Sequence, residues 1–188
     1  MSWLGPDSLS RPVDGAASPL APPADDWLVS SEDFEVRSAA PADYPRWLEL
    51  WLGYNAFYGR SGATALGADI TESTWSRILS PTEPVNAVVL LQDQAPAAFA
   101  HYIFHPTTIS VSPACYLQDL FVDPAFCRRG MGRALIESVT RHARSMGCHD
   151  VYWLTHKSNA PAIKLYESMA KLSEFQLYRR LACQPRSR

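Results

Sequence analysis

The chain has 188 residues, of which 47% are hydrophobic and 11% aromatic, enough for one substantial domain with or without an appendage and too few for a multidomain assembly. Its 17 basic and 19 acidic residues give a formal net charge of −2, which excludes the strong positive field of many proteins that bind nucleic acid or anionic membranes. Neither a run of 18 apolar residues nor an N-terminal secretory pattern is present, so the sequence predicts no membrane span and no signal peptide.

The first 33 residues differ in composition from the rest of the chain. They hold five of the 15 prolines, six acidic residues and one basic residue, which gives this stretch a net charge of −5 and leaves +3 for residues 34–188. This composition predicts a solvated acidic leader over residues 1–33, as a flexible extension or an interaction tail, followed by a globular domain over residues 34–188.

The elements of the first half are predicted by hydrophobic period and by turn residues. Alternation over 34–38 predicts a short strand, and an apolar stripe from Trp47 predicts a helix that ends near Gly59. The remaining elements of this half are a second helix over Ile70–Leu79 and strands over Val85–Leu91, Ala97–Phe104 and Cys115–Val122.

In the second half of the chain, the hydrophobic pattern predicts helices that alternate with strands. Apolar residues from Leu135 to Met146 recur at steps of three and four, and Gly147 is suited to the C-terminal cap of that helix. A strand over residues 151–155, a helix starting at Asn159 and Pro161 and carrying Met169, and a closing strand over Phe175–Leu181 follow. Hairpins followed by strand–helix repeats predict a mixed α/β sheet in three layers.

A short glycine-containing loop joins the strand over Cys115–Val122 to the helix that follows it. Gly130 and Gly132 allow backbone amides to approach a ligand closely, and the start of a helix adds partial positive charge, so the loop is a candidate pyrophosphate site. Arg128, Arg129 and Arg133 add charges suited to phosphate. The spacing excludes both the Walker A loop and the dinucleotide fingerprint, and two glycines alone could equally serve close packing.

Three segments, Val122-Asp-Pro124, Arg128–Leu135 and Asn159–Tyr166, resemble in order and spacing the acetyl-CoA-binding core of the GNAT N-acetyltransferases. The resemblance extends from about residue 34 to 181. Three further segments, 116–124, 151–156 and 175–179, are similar to the histone or polyamine acetyltransferase-like branch. The resemblance implies the GNAT, or acyl-CoA N-acyltransferase, fold: a central mixed, mostly antiparallel twisted sheet flanked by helices.

The resemblance also implies roles for individual residues. Those implied to bind acetyl-CoA are Leu120, Phe121, Val122, Arg128, Arg129, Gly130, Met131, Gly132, Arg133, Ala134, Asn159, Ala162 and Tyr166. Tyr166, which lies seven residues after Asn159 and therefore on the same helical face, would be the general acid for the departing thiolate. The acceptor site would use Tyr54, Tyr58, Gln118, Asp119 and Trp153.

An amine must lose its proton before it attacks a thioester, so a base is required, either directly or through water. Asp119 is the candidate, the alternative being a carboxylate that caps a nearby turn. Gln118 alternates to the other face of the strand, so only one of the two would line the acceptor pocket unless a bulge intervenes. A lone Tyr166 could also be an ordinary core tyrosine.

The predicted activity is acetyl transfer from acetyl-CoA to a primary amine, such as a small-molecule amine, a polyamine or a lysine-like group, by direct attack in a ternary complex. Cys127 and Glu174 depart from the family pattern, so a CoA-binding module without turnover, or an interaction scaffold that uses the acidic leader, stays open. A homodimer is expected. Four cysteines and five histidines lack metal-ligand or disulfide spacing, which predicts no metal and a reducing, cytoplasmic compartment.

Overall fold

The computed structural model describes residues 29–30, 34–180 and 182. Most of the predicted leader therefore lies outside the described residues. Its residues 29–30, however, form a short strand in the sheet.

One six-stranded sheet forms the centre of the fold, with its strands in the order of the sequence. The strands are β1 (Val29–Ser30), β2 (Glu35–Ser38), β3 (Val85–Gln92), β4 (Ala95–His105), β5 (Ala114–Val122) and β6 (Val151–Trp153). Neighbouring strands are antiparallel except β5 and β6, which are parallel. Between β3 and β4, Asp93 and Gln94 both have positive φ, as a two-residue hairpin turn of the favoured twist requires.

Four α-helices flank the sheet: α1 (Tyr44–Phe57), α2 (Ala68–Leu79), α3 (Met131–Ser145) and α4 (Ala160–Glu167). The predicted helices and the first five predicted strands are present, with shifts of a few residues at their ends. Gly130 has φ of +82°, outside the helical region, so α3 begins at Met131. Met169, predicted to lie in the last helix, follows its end.

Two hydrophobic cores, one on each side of the sheet, give the three layers that the sequence predicts. On one side α1 and α2 contribute an aromatic core that includes Trp47, Trp51 and Trp75, packed on Phe99 of β4. On the other side α3 packs Leu135 and its neighbours on small and β-branched strand residues. Large rings fill one side, whereas the alanines of β4 let α3 lie close to the sheet on the other.

The predicted closing strand over Phe175–Leu181 is wrong over its described residues. Residues 175–180 have no strand assignment and are all exposed, and Leu181 lies outside the described residues. Alternation of apolar and polar residues reports strand tendency, but a strand also needs a partner edge, which a local pattern cannot supply. Within the described residues, no helix is long and apolar enough to cross a membrane.

Candidate active site

The parallel strands β5 and β6 pair over a short length and then diverge. Their ladder holds only three pairs, from Cys115 with Val151 to Leu117 with Trp153. Beyond it, the pairs that Leu120 and Val122 make are with β4, on the other edge of β5. The edge of β5 that faces the divergence is therefore available to an extended ligand, and Leu120, Phe121 and Val122, which the sequence predicts to bind acetyl-CoA, lie along it.

The glycine loop follows directly after β5. Arg128 and Gly130 both have positive φ, so the loop turns sharply before the first turn of α3. The side chain of Met131 is buried in the core, which leaves its backbone amide as what it can offer a phosphate. Ala134, also predicted to bind the cofactor, has a buried side chain and an amide that already donates to the carbonyl of Gly130 (3.0 Å). A Cβ at Gly132 would lie 3.3 Å from the Cδ2 of Leu165, so this glycine also lets α3 and α4 approach closely.

The three arginines of the loop differ in their contacts. Arg129 lies over the ring of Phe126, at 5.5 Å from its centroid. Arg133 donates a hydrogen bond to the Oγ of Ser168, the C-cap residue of α4 (2.8 Å). Arg128 is exposed. All three were predicted to bind phosphate, and Arg133 would have to exchange its contact with Ser168 to do so.

An ion pair holds the end of β5 against α1. Arg46 of α1 pairs with Asp123 at 2.5 Å and also donates to the carbonyl of Pro96. Asp123 in turn accepts the amide of Ala125, and this contact, together with Arg46, keeps the pKa of Asp123 below its usual value despite partial burial. The Val-Asp-Pro motif therefore fixes the entrance to the glycine loop.

A buried chain of hydrogen bonds runs from α1 through β4 to β5. The indole Nε1 of Trp47 donates to Nε2 of His101 (3.0 Å), so this imidazole nitrogen carries no proton. The other nitrogen, Nδ1, then carries the proton and donates to Oδ2 of Asp119 (3.0 Å). The hydroxyl of Tyr54 donates to Oδ1 of the same carboxylate (2.5 Å).

This arrangement makes Asp119 a buried carboxylate between two neutral donors. It is only 8% exposed, and both of its hydrogen bonds are to side chains rather than to a turn that it could cap. Burial, and then the charge of Asp119, raise the pKa of Tyr54, so Tyr54 keeps its proton at neutral pH. The negative charge is thus held on Asp119, and Tyr54 connects this charge to the neighbouring rings of Tyr58 and Phe121.

The predicted acceptor wall is aromatic and extends outward from Tyr54. Tyr58 contacts Tyr54 edge to face, with ring centroids 5.1 Å apart, and Phe121 completes the wall from β5. A Cβ at Gly53 would lie 3.0 Å from the ring of Phe121, so this glycine lets the sheet approach α1. The guanidinium of Arg60 covers the rings of Tyr54 and Tyr58, at 5.7 and 5.5 Å.

Tyr166 of α4 packs beside β6. Its ring lies edge to face with that of Trp153, 5.4 Å away, where β6 diverges from β5. Burial, and then the nearby Tyr58, raise the pKa of Tyr166 to about 12. Since Tyr58 affects this pKa, the predicted donor side and the predicted acceptor side lie close to each other.

Asn159 is at the start of α4 rather than within it. It accepts the first helical hydrogen bond through its carbonyl, from Ile163, and its side chain donates to Thr155 (3.3 Å). Ala162 lies half-buried in the first turn of the same helix. Of the two residues predicted to share one helical face, Asn159 is therefore the N-cap of α4 and Tyr166 lies within the helix.

Gln118 is separated from the other predicted acceptor residues. The β4–β5 register passes from His101 with Asp119 to Tyr102 with Leu117, so Gln118 has no partner on β4 and forms a bulge. Its side chain is exposed.

Sequence reasoning missed Trp47, His101 and Arg60. His101 lies within the continuous apolar run of β4, which indicates burial, but its hydrogen-bond partners come from other elements. Across the described residues, no group of three or more His, Cys, Asp or Glu side chains could hold a metal ion.

Comparison with known proteins adds independent information. The model of the acetyltransferase (GNAT) family matches residues 46–170. The D-amino-acid N-acetyltransferase HPA3 of Saccharomyces cerevisiae is 31% identical over 147 residues, which is 77% of this chain and 89% of that protein. The [ribosomal protein bS18]-alanine N-acetyltransferase of Salmonella typhimurium is 38% identical over 80 residues, 43% of this chain and 50% of that protein.

Solved structures show a likeness in fold. The aminoglycoside N-acetyltransferase AAC(6')-Iy in complex with CoA has a TM-score of 0.68 at 20% identity, over 83% of this chain and all of that one. An aminoglycoside acetyltransferase from a soil metagenome, in complex with sisomicin, has a TM-score of 0.67 at 18% identity, over 81% and 97%.

Proposed function

The chain belongs to the acetyltransferase (GNAT) family, and we propose that it transfers the acetyl group of acetyl-CoA to a primary amine by direct attack in a ternary complex. The observation that carries the proposal is that Tyr166, a protonated phenol, lies near enough to Tyr58 to have its pKa raised by it, while Tyr58 contacts Tyr54, the partner of Asp119. A group that stabilises a leaving thiolate and a group that accepts a proton are the two that amide formation from a thioester needs.

The donor would lie along the open edge of β5. Backbone groups of Leu120 and Val122 would pair with the pantetheine arm, and the amides over residues 128–133 would hold the pyrophosphate. Arg128 and Arg129 add positive charge there. The divergence of β5 and β6 supports this assignment, because it leaves a polar backbone edge beside Tyr166.

The proton of the amine would leave through Tyr54. In this step the amine donates a proton to the Tyr54 oxygen while Tyr54 passes its own proton to Asp119, so the carboxylate becomes neutral and the phenol stays a phenol. The freed amine attacks the thioester carbonyl, the carbon–sulfur bond breaks and the sulfur keeps the electron pair. The nitrogen then loses its second proton to the released thiolate or to solvent, which leaves a neutral amide. Tyr166 donates a hydrogen bond to this thiolate.

His101 would hold the carboxylate rather than take the proton. Its Nε2 is occupied by the donated N–H of Trp47, and its Nδ1 already carries a proton. If Nε2 were protonated, its N–H would face the N–H of Trp47, and an indole N–H cannot accept a hydrogen bond. Asp119 therefore remains the group of this network that can accept a proton.

An amino-acid acceptor is favoured over a polyamine by Arg60. Its Nε donates to the side chain of Asn55 (2.7 Å), which is itself bonded to the carbonyl of Trp51, so the guanidinium is fixed over the aromatic wall. Among the described residues no carboxylate pairs with it. It could bind an acceptor carboxylate, and the similarity to an enzyme named for D-amino acids supports that choice.

Two measurements test the function. Acetyl-CoA should raise the melting temperature of the protein, and thiol release should be faster with D- or L-amino acids than with polyamines, aminoglycosides or alanine-initiated peptides. Arg60→Gln should raise KM for amino acids and leave KM for polyamines unchanged, with Arg77→Gln, an exposed arginine of α2, as control. Binding without turnover across the whole panel would refute catalysis. Equal effects of Arg60→Gln on both acceptor classes would refute the carboxylate contact.

The compartment stays a prediction. We propose a cytoplasmic location because the spacing of the four cysteines in the sequence indicates no disulfide framework.

A further inference from the structure

The aromatic core under α1 contains two stacked indoles whose N–H groups have different partners. Trp47 is fully buried near the start of α1, and its Nε1 donates to Nε2 of His101 (3.0 Å). Trp51, one turn later, stacks on it with the ring planes 10° apart, and its Nε1 donates to Oγ1 of Thr71 (3.3 Å). The two indoles therefore pack alike, but of the two N–H groups it is that of Trp47 that joins the network of Asp119.

The imidazole of His101 is enclosed by apolar groups. It is 2% exposed, and the rings of Phe99, Trp51 and Trp47 lie around it with centroids 4.5, 5.4 and 5.9 Å away. Its neighbour across the ladder on β3 is Ala87. None of these four side chains can accept a hydrogen bond from Nε2. A proton placed on that nitrogen would therefore find no acceptor among them.

The titratable groups on this side of the sheet are a carboxylate and two phenols. Asp119 lies opposite His101 on the ladder and accepts its Nδ1–H, and Tyr54 donates to the other carboxylate oxygen. Burial, and then the charge of Asp119, raise the pKa of Tyr116 on the same strand, so this phenol stays neutral. From α2 the core receives Trp75, which does not titrate. Among the residues that the structure describes, no lysine or arginine pairs with Asp119.

A carboxylate without a basic partner favours a positive charge on a neighbouring imidazole. The N–H of Trp47 opposes this, because Nε2 can accept it only while that nitrogen is unprotonated. A second proton on His101 would break this hydrogen bond and leave two buried donors facing each other. It would also pair the positive imidazole with Asp119, so the carboxylate would accept a further proton less readily.

We propose that Trp47 is a positioning residue for acetyl transfer: its N–H keeps His101 neutral and thereby keeps Asp119 able to accept a proton at neutral and mildly acidic pH. This inference rests on the proposed function, in which Asp119 receives the proton of the amine through Tyr54. Trp47 is fully buried, so it acts through His101 and does not touch the acceptor.

Nitrogen-15 NMR of labelled histidine tests the proposal without catalysis. In the unmodified chain at neutral pH, His101 should carry its proton on Nδ1 and none on Nε2. In Trp47→Phe the pH of half-protonation of His101 should rise by about one to two pH units, because no indole N–H competes for Nε2. Trp51→Phe is the matched control, since it removes a stacked indole of the same core and leaves the bond to Nε2 in place.

Two NMR results would overturn the proposal. One is a proton on Nε2 of His101 in the unmodified chain at neutral pH, a measurement that needs no variant to fold. The other is the same titration of His101 in Trp47→Phe and Trp51→Phe, which would show that the N–H of Trp47 does not control the proton on His101.

The pH profile of kcat tests the link from His101 to Asp119. Relative to Trp51→Phe, kcat of Trp47→Phe should be about 10-fold lower near pH 6.5, and the two should converge near pH 9, where His101 is neutral in both. A merely structural defect would lower kcat by one factor at every pH. A ratio that does not change with pH would therefore overturn the positioning role.

A His101→Asn background provides the rescue. Its amide can donate to Asp119 but cannot take up a proton, so adding Trp47→Phe should leave the pH dependence of kcat unchanged. A pH-dependent effect of Trp47→Phe that persists in this background would show that the indole acts by another route, against the proposal. If the unmodified protein acetylates no amine, the proposed function fails, and the histidine NMR still decides whether Trp47 controls the proton on His101.

Discussion

Replacing Tyr166 by Phe removes one hydroxyl and leaves the ring that contacts Trp153 in place. If this phenol donates a hydrogen bond to the departing thiolate, its loss removes an interaction with a charged group, worth about 1.5–3 kcal/mol. That corresponds to a fall in kcat of about 10- to 150-fold, with little change in KM for acetyl-CoA. Tyr152→Phe, which removes a hydroxyl from β6 away from this space, should leave kcat unchanged.

The raised pKa of Tyr166 also predicts how the fall in kcat depends on pH. With a pKa of about 12, Tyr166 stays protonated throughout the range in which the enzyme can be assayed. Relative to an ordinary thiol, with a pKa near ~8.5, it is the weaker acid by about 5 kcal/mol, so it stabilises the thiolate by hydrogen bonding rather than by full proton transfer. The ratio of wild-type to variant kcat should therefore be constant between about pH 6 and 9.

Single-turnover measurement of thiol release is the suitable assay, because product release can mask the chemical step. Two results would refute the reasoning. An unchanged single-turnover rate in Tyr166→Phe would show that the hydroxyl does not act on the leaving group. A wild-type to variant ratio that falls as the pH rises through 8 or 9 would show that the group titrates there, which contradicts its raised pKa.

Three further outcomes are expected. Tyr54→Phe should lower kcat by about 10- to 100-fold and change the pH profile of kcat, because it breaks the path to Asp119; an unchanged profile would exclude the relay. Gly132→Ala should fold normally and bind acetyl-CoA, because the Cδ2 of Leu165 can move by the few tenths of an ångström required, whereas Gly132→Glu should weaken binding at least 10-fold in calorimetry; equal affinities would misplace the phosphate site. Burial lowers the pKa of His142, so the unfolded chain binds the extra proton and stability should fall below about pH 6.5 by up to ~1.4 kcal/mol per pH unit; urea unfolding at several pH values should show a shallower slope in His142→Gln, and equal slopes would contradict the assignment.

Local pattern predicted most of the fold because the two cores impose periodicity on the sequence. The stripe from Leu135 to Met146 repeats at helical steps since one side of α3 is buried against the sheet. The runs that became β3 and β4 are apolar because helices cover both of their faces. The segment over 175–180 carries an equally clear strand pattern, but its partner edge is not determined by residues near it in the chain.

The active site was predictable in its backbone parts and less so in its side-chain network. Gly130 and Gly132 are near each other in sequence, as are Asn159 and Tyr166, so the spacing within each pair carries information. The hydrogen-bond partners of Asp119 are far from it in sequence, because His101 is 18 residues away and Tyr54 is 65 residues away. Their contact depends on strand register, and a register is set by long-range packing.

The bulge at Gln118 explains why strict alternation could not place Asp119. Leu117 belongs to the core under α3, whereas Asp119, two residues later, bonds to Tyr54 on the α1 side. In a regular strand these two side chains would share a face, since the period is two. One extra residue reverses the alternation, which carries Asp119 to the acceptor side.

The bulge at Gln118 also determines which residues of β5 face the predicted acetyl-CoA site. Leu120 and Val122 lie near Gly132 of α3, whereas Phe121 packs with Tyr54 against α1. Without the bulge, each of these side chains would exchange faces, and Asp119 would lie under α3 with no partner from Tyr54 or His101. A single unpaired residue therefore determines that the carboxylate faces the acceptor wall while the apolar residues that follow it face the glycine loop.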